Sequence, residues 1–274
     1  MFDVILDKVK VKTPLVHSIT NYVTVNDCAN IILACGGSPI MADDIAEVSD
    51  ITSICSSLVI NIGTLNERTI ASMLTAGKKA NELGHPIILD PVGAGASILR
   101  NETALQLLKQ IKFSVIRGNI SEIKFLALQN ANTQGVDASA ADAVTSDNLD
   151  SVIKFAQDFS KSTGAIIAIT GAIDIVANSD KAYVIKNGHA LMSRVTGTGC
   201  MLTAVIGSYI GANSDNLLDA TATAVTAMGL CGELAYQRLQ EIDGGTNTYR
   251  MLLIDFMSKM NKELLKDGAK VEGR

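Results

Sequence analysis

The chain of 274 residues contains no tryptophan, and only 4% of its residues are aromatic. Proteins that bind single-stranded nucleic acid by stacking need aromatic side chains, so this composition argues against such a surface. Lysine and arginine total 23 against 28 acidic residues, which gives a formal net charge of −5. Since the sequence shows no basic face, we do not expect nucleic acid as a partner.

Signals for membranes, export and disulfide bonding are also missing. The sequence has no run of about 18 apolar residues, the length that a membrane-spanning helix needs, so no membrane association is expected. The first residues show no basic segment followed by an apolar one, and no signal peptide is expected. The five cysteines are scattered and form no Cys-x-x-Cys pair. We therefore expect neither a disulfide framework nor a zinc site, but reduced thiols and a cytoplasmic location.

The two familiar glycine-rich nucleotide motifs are absent as well. The sequence has no Walker G-x-x-x-x-G-K-S/T loop, and no G-x-G-x-x-G follows its first predicted strand, which excludes a P-loop enzyme and a Rossmann dehydrogenase.

Hydrophobic residues make up 47% of the chain, enough to bury one large core. Short apolar runs alternate with helical patterns, so residues 1–274 are predicted to form one α/β domain with a central, mostly parallel sheet.

The predicted strands are residues 14–19, 38–41, 57–63, 86–89, 114–119 and 165–169, followed by a hairpin over 174–185. The predicted helices are residues 2–11, 23–34, 43–54, 65–83 and 97–111, one that starts near Ile120, and 149–162, 199–213, 216–240 and 244–266. The polar stretch 130–150 is interpreted as a loop. The three histidines do not cluster in sequence, and each is interpreted as structural or exposed.

Polar residues or glycines stand at four predicted strand ends, namely Asn61 and Gly63, Asp90, Arg117 and Asn119, and Thr170 and Gly171. In an open parallel sheet these ends share one edge, where ligands bind. Asp90 with Asn119 and Glu122 would form an acidic corner suited to Mg²⁺, and Arg117 could bind phosphate in a forked contact. Alternatives remain for each residue: Asp90 as a turn residue, Asn119 and Glu122 as a helix cap, Arg117 as a surface ion pair, and Thr170 as part of a turn.

Residues 194–200 have the sequence Arg-Val-Thr-Gly-Thr-Gly-Cys, and an apolar run follows them. Gly197 and Gly199 allow close approach of the backbone to a ligand, and the apolar run predicts a buried helix. A glycine turn before a helix start is typical of an anion site. Cys200 would lie at the positive end of that helix, where a thiol loses its proton more readily. The alternative is a turn, a helix cap and a buried cysteine.

Taken together, these motifs resemble the hydroxyethylthiazole kinase family of the ribokinase-like superfamily, over essentially the whole chain. The segments that carry the resemblance are 21–26 (NYVTVN), 36–41 (GGSPIM), 90–93 (DPVG), 117–122 (RGNISE), 170–171 (TG) and 195–200 (VTGTGC). The superfamily usually has Asp where this chain has Cys200, and the thiazole kinases are similar to this chain in having Cys there.

The resemblance implies a ribokinase-like three-layer fold with helices on both sides of the sheet. It also implies an activity, the ATP-dependent phosphorylation of the hydroxyl of 4-methyl-5-(2-hydroxyethyl)thiazole in thiamine salvage. It further implies a ring-shaped homotrimer whose active sites lie at subunit boundaries.

The family's site residues transfer to matching positions as expectations. Gly197, Thr198, Gly199 and Cys200 would form the anion hole, with Cys200 as the base and Gly197 near the substrate hydroxyl. Arg117 and Thr170 would contact ATP, and Asp90 and Glu122 would hold Mg²⁺, partly through water. Met41 and Asn21 would line the thiazole pocket.

Three other functions are compatible with such a fold. A hydroxymethylpyrimidine or pyridoxal kinase would be expected to carry Asp in place of Cys200. A nucleotide-dependent NAD(P)H-hydrate dehydratase would release free phosphate rather than form a phosphate ester. A non-catalytic nucleotide sensor would need neither an acidic corner nor a base, and Asp90, Glu122 and Cys200 argue against it.

Overall fold

The structure, a computed structural model, describes residues 2–129 and 144–274. The strands in these ranges are β1 (Leu15–Ile19), β2 (Ser38–Ile40), β3 (Ser57–Asn61), β4 (Ile87–Asp90), β5 (Val115–Gly118), β6 (Ile166–Ile169), β7 (Asp174–Ala177), β8 (Ala182–Ile185) and β9 (Val271–Gly273). They form one sheet in the order β2-β1-β3-β4-β5-β6-β7-β8-β9. Pairing is parallel from β2 to β6 and antiparallel from β6 to β9, which confirms the predicted mostly parallel sheet.

The helices of the described ranges are α1 (Phe2–Lys12), α2 (Val25–Cys35), α3 (Val48–Ile54), α4 (Glu67–Leu83), α5 (Ile98–Gln110), α6 (Ile120–Gln129), α7 (Leu149–Thr163), α8 (Thr198–Ala212), α9 (Leu217–Ile242), α10 (Thr246–Lys259) and α11 (Lys262–Gly268). A short 3-10 helix, Ala190–Arg194, precedes α8. No helix within these ranges is both long enough and apolar enough to cross a membrane.

Two separate hydrophobic cores flank the sheet, because side chains along a strand point alternately to its two faces. In β3, Val59 belongs to the core shared with α1, α2, α8, α9 and α10. Its neighbours Leu58 and Ile60 belong to the core shared with α4, α5, α6 and α7. Helices therefore cover both faces, which confirms the expected three-layer α/β architecture.

Helix α8 lies almost entirely inside the first of these cores, as its apolar sequence predicted. Gly207 allows the helix to approach the sheet, since a Cβ there would lie 2.5 Å from the Cγ2 of Val59. This packing fixes the start of α8 at the carboxyl edge of the parallel strands. The predicted glycine turn and helix are thereby confirmed.

Some predicted boundaries were wrong. The helix predicted over 43–54 begins only at Val48, since the Asp44 side chain accepts the Ala46 N–H and holds a turn there. The helix predicted over 244–266 is two helices, because Asn261 caps a new helix start. Strand β9 was not predicted. Of the loop predicted over 130–150, residues 130–143 lie outside the described ranges, and 149–150 already belong to α7.

Candidate active site

The carboxyl edge of the parallel strands is lined by one apolar and five polar side chains. In the order of the strands from β2 to β6, they are Met41, Asn21, Asn61, Asp90, Arg117 and Thr170. Each stands at or just after the end of its strand, so the parallel topology alone collects them at one edge. The sequence prediction that strand-end residues share this edge is confirmed.

The start of α8 faces this edge through Gly197, which has a φ of +86°. A Cβ at this position would lie 2.5 Å from the Cγ2 of Thr24, so the turn requires glycine for its conformation and for its space. Gly197 has no side chain that could cap the helix, and the first-turn N–H groups of residues 198–200 have no partner within the helix. They therefore form a set of donors suited to an anion. The Thr198 hydroxyl donates to the carbonyl of Met192 at 3.1 Å.

Asp90 is the most deeply buried carboxylate of the site, with no exposed surface. Its Oδ2 accepts hydrogen bonds from Asn61 Nδ2 at 2.8 Å and from the Thr203 hydroxyl at 2.7 Å. The Nη1 of Arg117 lies 3.6 Å from the same oxygen. Burial raises the pKa of the Asp90 carboxyl to about 6, against the lowering effect of the Arg117 guanidinium. The other oxygen, Oδ1, is buried and has no partner.

Arg117 connects this carboxylate with the end of β6. Its Nη2 donates to the Thr170 hydroxyl at 2.6 Å. Its guanidinium lies against the start of α8, since a Cβ on Gly199 would be 2.7 Å from Nη1. The Nε of Arg117 is buried without a partner. The guanidinium is thus held in place from three sides.

Glu122 and Asn119 cap the start of α6 together. Asn119 N donates to Glu122 Oε2 at 2.8 Å, and Glu122 N donates to Asn119 Oδ1 at 2.8 Å. The remaining oxygen of Glu122 accepts the N–H of Gly93 at 2.8 Å. This is the capping arrangement that the sequence left open as an alternative. Both oxygens of Glu122 therefore already accept a backbone N–H, and each keeps a lone pair for a further ligand.

Cys200 lies in the first turn of α8 and is partly exposed, whereas the other four cysteines are buried. Its Sγ accepts hydrogen bonds from Asn21 Nδ2 and from Asn61 Nδ2, each at 3.3 Å. The Asn21 Oδ1 in turn accepts the hydroxyl hydrogen of Thr24 at 3.1 Å. The candidate base and the candidate substrate residue Asn21 are therefore in direct contact.

A cavity of about 610 Å³ opens beside the start of α8. It is lined by Arg117, Thr170, Thr198 and Gly199 together with Asp174 and His189. Its volume suits a nucleotide-sized ligand. Met41, Asn21 and Cys200 are not part of its wall, so the edge divides into a cavity on the β5–β6 side and a smaller set of residues on the β1–β2 side. Met41 itself packs partly buried against the first core.

The chemistry of the donors suits Mg²⁺ better than a transition metal. Among the described residues, no three His, Cys, Asp or Glu side chains gather into a ready-made metal site. Mg²⁺ keeps several waters and is commonly bound by one or two carboxylates plus substrate phosphates. The unpartnered, buried Oδ1 of Asp90 beside Glu122 fits that pattern.

Two polar residues at this edge, Thr203 and Asp174, were not singled out as site candidates from the sequence. Thr203 bonds Asp90 from one turn into α8, and a helical threonine in an apolar run gives no signal of its own. Asp174 starts the hairpin, and its Oδ1 accepts the N–H of Gly171 at 2.8 Å. Asp174 is only three residues from the Thr170-Gly171 strand end, a proximity that could have marked it as a site residue.

Comparisons with solved structures define the class first. A ribokinase-like superfamily protein from Enterococcus faecalis superimposes with a TM-score of 0.62 at 12% identity, covering 94% of this chain and 95% of that chain. At this identity the likeness concerns the fold alone, which is ribokinase-like. A hydroxyethylthiazole kinase structure from Pyrococcus horikoshii superimposes with a TM-score of 0.89 at 33% identity, covering 100% and 98% of the two chains.

Sequence comparisons then define the family. A sequence model of the hydroxyethylthiazole kinase family matches residues 6–263. A hydroxyethylthiazole kinase from Clostridium acetobutylicum is 62% identical over 267 residues, which are 97% of each chain. The chain belongs to the hydroxyethylthiazole kinase family, and the expectation of a kinase in thiamine salvage is thereby confirmed.

Proposed function

We propose that the chain transfers the γ-phosphoryl group of ATP to the hydroxyl of 4-methyl-5-(2-hydroxyethyl)thiazole, with the edge residues in the following roles. The observation that carries these roles is the position of α8. Its uncapped first turn borders the cavity lined by Arg117 and Thr170 and also carries the thiol of Cys200. The transferring phosphate, the nucleotide that donates it and the hydroxyl that accepts it would therefore lie next to one another.

Cys200 is the proton acceptor of the proposed reaction. The hydroxyl oxygen of the thiazole alcohol attacks the γ-phosphorus, the bond to the β,γ-bridging oxygen breaks, and ADP leaves. The hydroxyl proton passes to the Sγ of Cys200, which accepts it as a thiolate and becomes a thiol. Phosphoryl transfer through a loose transition state depends mainly on positioning and charge stabilisation, so a weak base suffices.

The negative charge of the transferring group is met by three kinds of donor. The N–H groups of residues 198–200 form the anion hole, which includes Thr198 and Gly199. Arg117, braced by Thr170, contacts the phosphates of ATP. Asp90 and Glu122 would hold Mg²⁺, Glu122 through water, and the metal would supply charge neutralisation on the phosphates.

The thiazole ring lies on the β1–β2 side of the edge in this proposal. Met41 contacts the ring, Asn21 lines the same pocket, and Gly197 lies near the substrate hydroxyl. The contact between Asn21 and Cys200 supports this placement, because it brings the ring pocket next to the base.

The proposal includes a homotrimer with active sites at subunit boundaries. Tyr22 and Val23 are 79% and 55% exposed directly after Asn21, and Ile45 is 48% exposed just after the Met41 segment. Apolar side chains beside a substrate pocket are suited to burial by another copy of the chain.

The proposal also includes a cytoplasmic location, which the five unpaired thiols support. It includes neither nucleic acid nor a membrane as a partner.

The test is ATP turnover with Mg²⁺ and the thiazole alcohol, with mass detection of the product, on wild type, Cys200→Ala and Cys55→Ala. We expect thiazole phosphate from the wild type and a loss of about 100-fold in kcat for Cys200→Ala. Cys55 is buried at the opposite end of β3, so Cys55→Ala should keep wild-type kcat.

The other outcomes separate the alternatives. Thiazole phosphate that forms equally fast with Cys200→Ala would keep the function and remove the role of Cys200 as base. Absence of thiazole phosphate, with phosphorylation of hydroxymethylpyrimidine, would favour the pyrimidine kinase. Free phosphate with dehydration of hydrated NADH would favour the dehydratase.

A further inference from the structure

Asn61, the last residue of β3, is 1% exposed and uses its whole side chain in hydrogen bonds. Its Oδ1 accepts from Asn21 Nδ2 at 3.0 Å and from the Gly63 N–H at 2.9 Å. Its Nδ2 donates to Asp90 Oδ2 at 2.8 Å and to Cys200 Sγ at 3.3 Å. A single buried amide thus joins the candidate base, the candidate metal carboxylate and a candidate substrate residue.

The orientation of this amide is determined by its partners. Two N–H donors point at one atom of the amide, so that atom must be the oxygen, and both N–H groups then face acceptors. Turning the amide over would place donor against donor inside the protein and leave buried polar groups unsatisfied. Asn61 therefore has one stable orientation.

The backbone fixes the position of the amide as well. Asn61 and Asp90 are directly paired residues of the parallel strands β3 and β4. Gly63 allows the chain to fold back over the amide, since a Cβ there would lie 2.9 Å from the Asn61 Oδ1. The sheet register and this turn therefore hold the amide between Asp90 and the sulfur of Cys200.

We propose that Asn61 is a positioning residue for phosphoryl transfer. It holds the Sγ of Cys200 and the carboxylate of Asp90 in one fixed relation, so that the proton acceptor and the transferring phosphate lie next to the same hydroxyl group. The inference rests on the proposed function, in which Cys200 accepts the proton.

The experiment is a double-mutant cycle of Asn61→Ala and Cys200→Ala, read as kcat and as KM for each substrate. We expect Asn61→Ala to lower kcat about 30-fold in the otherwise wild-type enzyme, because small misplacements of reacting groups are costly. KM for ATP should stay within about threefold, since Thr203 and Arg117 still hold Asp90. In the Cys200→Ala background, the same substitution should lower kcat less than about fivefold, because its main partner is absent.

Two further variants separate positioning from general loss of structure. Asn213 is equally buried and its amide donates to the carbonyls of Ile5 and Tyr209, far from the site at the other end of α8. Asn213→Ala should lower the midpoint of thermal unfolding and leave kcat of the folded enzyme unchanged. Asn61→Ser, which leaves a smaller unfilled volume, gives the same cycle if Asn61→Ala does not fold.

Failure of the inference is distinguishable from failure of the proposed function. If Cys200→Ala loses activity but the Asn61 substitution costs the same factor in both backgrounds, or costs nothing, Asn61 does not act through Cys200 and the inference falls alone. If Cys200→Ala by itself keeps full kcat, the base role fails first and the inference falls with it.

Discussion

Asp174 is a buried carboxyl group in the wall of the cavity, and its titration links that cavity to stability. Burial raises the pKa of Asp174 to about 7, although the Gly171 N–H and the Arg117 guanidinium lower it. In the unfolded chain the carboxyl has an ordinary pKa near 3.8. The folded state therefore binds this proton more tightly than the unfolded state, and folding loses stability as pH rises between these two values.

Replacing Asp174 with Asn removes this dependence and keeps an oxygen for the Gly171 N–H. As pH rises from about 4 to about 7, the free energy of unfolding of Asp174→Asn should increase relative to that of wild type. The total increase should be on the order of 4 kcal/mol. Above pH 7 the difference should stay constant. Urea unfolding of both proteins without nucleotide, at several pH values, measures it. A difference that is flat across this window would contradict a raised pKa in the folded state.

Among the elements, β1, α3 and the segment after β2 are joined by the His17 ring. His17 is fully buried; its Nδ1 lies 2.9 Å from the Thr52 hydroxyl and its Nε2 lies 2.9 Å from the Ala42 carbonyl. A carbonyl only accepts, so Nε2 carries the hydrogen and Nδ1 accepts from Thr52. Burial lowers the pKa of His17, which keeps the ring neutral. The ring therefore anchors the backbone beside Met41, the proposed thiazole contact.

Replacing His17 should loosen that segment without affecting the cavity on the β5–β6 side of the edge. For His17→Ala we expect KM for the thiazole alcohol to rise about tenfold, with KM for ATP within about twofold, because the lost anchor affects substrate binding. Steady-state kinetics with each substrate varied measures the split. The control is His85→Ala, at the opposite end of β4. Equal rises in both KM values would mean that His17 supports the whole site rather than the Met41 segment.

The elements show which structural signals the sequence carries. The turn at Gly197 and the buried helix α8 follow from glycine spacing and an unbroken apolar run, both local properties. The start of α3 depends on one side chain, that of Asp44, which accepts a backbone N–H. Strand β9 (Val271–Gly273) pairs with β8 only because the C-terminal segment reaches the sheet edge, a long-range contact without a periodic pattern. Periodic patterns could therefore be predicted, whereas a single side-chain contact and a long-range strand pairing could not.

At the scale of the whole molecule, the parallel topology explains why the site could be predicted in outline. Strands that run the same way deliver their last residues to one edge, so Asp90, Arg117 and Thr170 were expected together. The contacts within that edge follow from side-chain geometry, which the sequence does not contain. The contact of Asn61 with Cys200 and the contact of Glu122 with the Gly93 N–H are of this kind.

The proposed trimer is tested by placing a charge on the exposed apolar residues beside the site. Tyr22→Glu should dissociate the assembly, because a carboxylate would have to be buried against another copy of the chain. Wild type should have about three times the 28.9 kDa chain mass, and Tyr22→Glu should approach one chain mass in light scattering after gel filtration. Turnover should fall with the mass if the boundary completes the pocket. Val11→Glu, 83% exposed at the end of α1 and away from this edge, is the matched control. A wild-type enzyme that runs at one chain mass and is fully active would contradict the shared site.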